Sequence, residues 1–105
     1  MKNLTVICIA ILFTFELNAQ VVINEIMYSP TESSNEWYEL HNIGPSAVDI
    51  QNWKWRDFQN TSLRTITTQS IIIQPGSYIV VCQDSAKFKT QFPNVPGIYV
   101  ESMSW

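Results

Sequence analysis

The chain has 105 residues, enough for one domain. Six lysines and arginines against nine aspartates and glutamates give a net charge of −3. No basic run follows that would track a phosphate backbone, so nucleic-acid binding is excluded by charge.

Residues 1–19 read as a segment apart from the fold. Lys2 supplies a positive start, residues 4–15 are apolar, and Leu17, Asn18 and Ala19 offer a cleavage site before Gln20. The apolar stretch is shorter than the roughly 20 residues of a membrane-spanning helix. This predicts a signal peptide over 1–19 and a mature domain over 20–105, secreted or held at the cell surface or in the periplasm. No membrane span remains once the signal is cleaved, and no small-residue lipobox precedes Cys8. Loss of Cys8 leaves Cys82 alone, so stability must come from an apolar core, a metal or a partner rather than a disulfide. Cys82 ends the apolar run over 78–81 and is expected to be buried and inert.

Short runs of β-branched and aromatic residues, bounded by turn residues, predict an all-β sandwich. The first run is 21–27. The second, 36–42, alternates cleanly, with Tyr38 and Leu40 on one face and Trp37, Glu39 and His41 on the other. Gly44 and Pro45 then mark a turn, Gly44 being the residue that permits positive φ. Residues 48–50 and 53–57 are further short strands, and 57–62 is a loop. Residues 64–67 and 70–73 read as two strands or as one with a bulge. Pro75 and Gly76 suit the centre of a type II turn. The run 78–82 returns from it as a hairpin or a sheet-edge corner. Asp84 caps a short helix ending near Phe92, with Phe88 and Phe92 on one face. A last strand begins at 98.

Five blocks stand in a fixed order: Val22, Ile23, Asn24 and Glu25; Trp37, Tyr38, Glu39, Leu40, His41 and Asn42; Gly44; Ile50, Gln51, Asn52, Trp53, Lys54 and Trp55; and Pro75 with Gly76 leading into 78–81. In this succession the chain resembles the lamin tail domain, found in nuclear lamins and in many secreted bacterial proteins. The resemblance covers most of 20–105 and implies an immunoglobulin-like β-sandwich in which Trp53 and Trp55 face the core. Asn52 stands where glycine is common, and asparagine also tolerates left-handed geometry. Secreted relatives continue with another turn and one or two more strands. The last strands are therefore expected to be incomplete, leaving an exposed edge and an uncovered core unless a neighbour supplies the rest.

Candidate chemistry is sparse. Asn24, Glu25, Glu36, Glu39 and Asn42 offer the oxygen ligands that Ca²⁺ takes, but they lack the spacing of a calcium loop. The plainer reading has Asn24 and Asn42 fastening strand ends, with Glu25 and Glu39 accepting from backbone N–H groups. Paired carboxylates for glycoside hydrolysis need a cleft between them. A Ser-His-Asp site would have only His41, and no serine sits in a nucleophile elbow. No catalytic residue is assigned. Lys54 and Arg56 read as a solvated strand face. Trp37, opposite in parity to Leu40, is expected to be exposed and, with Tyr38, to contact a sugar or a protein. Asn60, Thr61 and Ser62 match a glycosylation sequon.

The resulting expectation is a secreted, non-catalytic, lamin-tail-like module for protein interaction, adhesion or targeting, whose partner is a protein or a cell-surface polysaccharide. One alternative makes it the front of a longer secreted hydrolase, nuclease or spore-coat-type kinase, with a covalently linked downstream domain. Another is a calcium-stabilised carbohydrate-binding module.

Overall fold

The computed structural model describes residues 20–59, 61–102 and 105. The signal-peptide assignment over 1–19 and Asn60 of the sequon lie outside those residues.

The elements run β1 (Val21–Met27), β2 (Trp37–Asn42), β3 (Val48–Asp49), β4 (Lys54–Trp55), β5 (Arg64–Thr65), β6 (Ile72–Ile73), β7 (Tyr78–Cys82), α1 (Ser85–Gln91) and β8 (Ile98–Glu101). One four-stranded sheet has the order β1-β2-β7-β8. β1–β2 and β2–β7 are antiparallel, while β8 lies parallel to β7. A parallel neighbour needs a crossover, which α1 provides.

The second layer is one long, irregular arm. β3 pairs with β6 and β4 with β5. Between these ribbons, Ile50 N–H donates to the Ile71 carbonyl, Asn52 N–H to Thr67 and Ile66 N–H to Trp53. The two expected short strands over 64–73 are thus separate pieces of one arm. Asn52 sits at φ 60° in its bend, a left-handed position that asparagine tolerates better than most residues.

Alternation along the sheet sorts its side chains between two partners. Tyr38, Leu40, Ile79, Val81 and Val100 face the arm and bury against Ile50, Ile66 and Ile73. Val80 and Cys82 point the other way and bury against Phe88 of α1, with Trp37, Phe92 and Tyr99 packed around them. Asp84 holds the start of α1, its carboxylate accepting from Lys87 N–H at 3.0 Å. The architecture is an immunoglobulin-like sandwich with one helix of about two turns on its outer face.

The turn at Pro75 and Gly76 is a corner rather than a hairpin. Gly76 has φ 75° and Ser77 N–H donates to the Gln74 carbonyl at 3.0 Å, as a type II turn requires. It carries the chain from β6 in the arm to β7 in the sheet. Gly44 corrects its expectation: its φ is not positive. A Cβ there would lie 2.2 Å from Cγ of Gln20, so close approach selects the glycine, and Pro45 after it favours extended backbone.

Candidate functional site: an open apolar cleft

Two strands cannot cover four. At about 4.8 Å per strand spacing, the arm is much narrower than the sheet beneath it. It lies over β2, β7 and β8, where the core is closed, and leaves the β1 margin bare. The result is a cleft of about 890 Å³ between β1 and the arm.

β1 supplies one wall. Ile23 stands opposite Leu40 and Ile26 opposite Tyr38, both on the inward face, although they are an odd three positions apart. The register shift between Ile23 and Glu25 makes this possible, because the bulge at Asn24 resets the alternation. Both isoleucines remain open to solvent, Ile23 at 58% and Ile26 at 61%. Tyr28 and Phe58 are more exposed still.

The arm supplies the other wall through Trp53, Trp55 and Ile66, with Lys54, Arg56 and Arg64 also lining the cleft. The expectation that Trp53 and Trp55 both face the core holds for only one of them. Trp55 packs on Tyr38 at 5.7 Å and on Trp105 at 4.9 Å between ring centroids. Trp53 is 39% exposed at the cleft. The Arg64 guanidinium lies 5.4 Å from the Trp55 ring centre, a cation–π contact.

Tyr38 forms part of the floor. It is buried, and its hydroxyl has no hydrogen-bond partner. Burial raises its pKa well above the usual phenol range. Beside it, Trp105 donates through its indole N–H to the Glu36 carboxylate.

The proposed contact residue Trp37 is elsewhere. Its parity does oppose that of Leu40, but the opposite face is covered by α1. Trp37 meets Phe88 at 5.5 Å and Phe92 at 5.7 Å, both edge-to-face, and its indole nitrogen is buried without a partner. It is therefore not exposed as expected: the helix after Asp84 folds back over this face and occupies the space.

The oxygen-bearing residues do not converge. Asn42 is fully buried at the closed end, where its amide donates to the Ser46 and Ile73 carbonyls at 2.8 and 2.9 Å. Its Oδ1 accepts from Gly44 N–H at 3.0 Å. Backbone bonds to Ser77 and from Gly76 fasten the corner to the same residue. Asn24 donates to Glu39 at 2.7 Å on the outer face, so Glu39 accepts from a side chain rather than the expected backbone N–H. Glu25 stands opposite Glu39, and Glu36 is engaged by Trp105. Among the described residues, no group of three or more His, Cys, Asp or Glu is arranged to hold a metal ion. His41 stacks on Tyr78 at 4.0 Å, and no hydrogen bond joins it to a serine among the described ones. Cys82 is buried under α1, its thiol pushed up to about 11 by burial and by Glu101 and Asp84. A thiol so protonated is a poor nucleophile.

The sequence singled out the aromatics of this cleft but not Ile23 and Ile26, which make its open wall. The only available signal was the Val21, Ile23, Ile26 spacing, which a bulge alone reconciles with one face. Among the described residues, no helix is long and apolar enough to cross a membrane.

A model of the Lamin Tail Domain family matches residues 16–101. No curated protein and no solved structure matches the chain.

Proposed function

The chain belongs to the lamin tail domain family, and on that premise we propose that it is an exported, non-catalytic interaction module whose contact surface is the β1 cleft. The observation that carries the reading is the exposure of Ile23, Ile26, Tyr28 and Phe58 around one cleft. Large contiguous apolar patches on small domains mark interaction sites. Glu36, Glu39 and the histidine are engaged by Trp105, Asn24 and Tyr78, which favours binding over hydrolysis. The residues before Gln20 support export, and a protein or polysaccharide at the cell surface is the partner such a module meets.

Two measurements test this. Amino-terminal sequencing of the exported chain should begin at Gln20. Retention on the producing cell's surface should fall several-fold in a Phe58→Ser, Ile26→Asp double variant whose thermal midpoint is unchanged. Undiminished retention in that folded variant sinks the assignment of the cleft.

A further inference from the structure

Resting on the interaction-module reading above, we infer that the cleft takes an extended strand of a partner polypeptide, β-branched on one face and flanked by acidic side chains, which adds to the free edge of β1. β1 is the first strand of its sheet and pairs with β2 on one side only among the described residues. The N–H and C=O groups along its other side call for a second backbone, which neither a small apolar ligand nor a sugar supplies. The bulge at Asn24 twists part of this edge, so an added strand pairs on one side of it rather than along all of β1. Here the inward residues are Ile23 and Ile26, and the cleft beside them has room for the apolar side chains of an added strand.

Charge identifies the flanks of that strand. Three of the chain's six lysines and arginines, Lys54, Arg56 and Arg64, line this one cleft in a chain whose net charge is −3. Glu36 and Asp57 also line it, so three cations against two acids leave the cleft at +1. Lys54 and Arg56 are exposed and present positive charge to whatever enters.

The test uses two short synthetic peptides. One alternates valine and threonine between paired glutamates, and its twin carries lysines in place of the glutamates. The glutamate peptide should bind about tenfold more tightly than the lysine peptide, the sum of a few exposed charge pairs. Binding should slow amide hydrogen exchange along β1. Lys54→Glu with Arg56→Glu should reverse the preference. Ile26→Lys should abolish binding without shifting the unfolding midpoint, and Ile23→Lys serves if that variant unfolds. The proposal is overturned if neither peptide binds, or if binding leaves β1 exchange unchanged. It is also overturned if sedimentation shows self-association that protects β1 without peptide, which assigns the edge to a second copy. Surface retention that still depends on Ile26, with no peptide protecting β1, removes the strand and leaves the interaction module standing.

Discussion

The interior and the β1 margin of the four-stranded sheet carry similar residues to opposite ends. Around β7, Ile79 and Val81 are almost wholly buried between the arm and the sheet. Along β1, Ile23 and Ile26 have the same chemistry and inward orientation yet stay more than half exposed. Nothing in the side chains distinguishes them. The arm's width does. An apolar residue becomes core only where a second layer reaches it, and where that layer stops short the same residue becomes a surface with unspent hydrophobic driving force.

Truncating a residue in the closed core and one at the β1 margin should break or sustain this contrast most directly. Ile50→Ala and Ile73→Ala, in the closed region, should each cost about 2–5 kcal/mol in urea unfolding. Ile26→Ala should cost less than about 0.5 kcal/mol, as surface substitutions do. Comparable losses at both sites would mean that the β1 margin is covered in solution. Asn42→Ala comes next. It abandons the Ser46 and Ile73 carbonyls and the Gly44 N–H at the closed end, and should destabilise by about 2–3 kcal/mol. A neutral result would show that water replaces the side chain there.

A smaller change should accompany rising pH. The Cys82 thiol is raised from 9.0 to about 11 in the fold, so the unfolded chain loses that proton first. Stability is therefore full below pH 9 and falls between 9 and 11 as the unfolded thiolate gains population. Tyr38, also raised by burial, extends the fall in the same direction above pH 10. A Cys82→Ala variant should have a flatter profile across the lower window, and an unchanged profile would refute a protonated buried thiol. The smallest effect belongs to the open margin. Asn24→Ala removes an exposed bond to Glu39 and should cost less than about 0.5 kcal/mol by the same denaturation series.

Much of this was legible because it depends on neighbours in sequence. The alternation of β2, the positive φ at Gly76, the left-handed geometry at Asn52 and the Asp84 cap are all local requirements. The fold class followed from the spacing of such signals, helped by the resemblance to the lamin tail domain. The cleft was not legible, because it depends on which strand lies at a margin and how far the other layer extends. Trp37 shows the same limit. Its parity was read correctly, but only the position of α1 tells that the opposite face is covered. Gly44 is glycine because Gln20 lies across it, a contact between residues far apart in sequence.

The β2–β7 ladder also has a kinetic consequence. β1 with β2, and β7 with α1 and β8, are each contiguous stretches of chain that close over short loops. The seam between them joins Trp37 to Cys82 and His41 to Tyr78 across the whole length of the arm. Closing that long loop carries the larger entropy cost and gives its reward only when the arm's residues arrive together. The expected barrier to folding is therefore the zipping of this one seam, with two preformed halves waiting on either side of it.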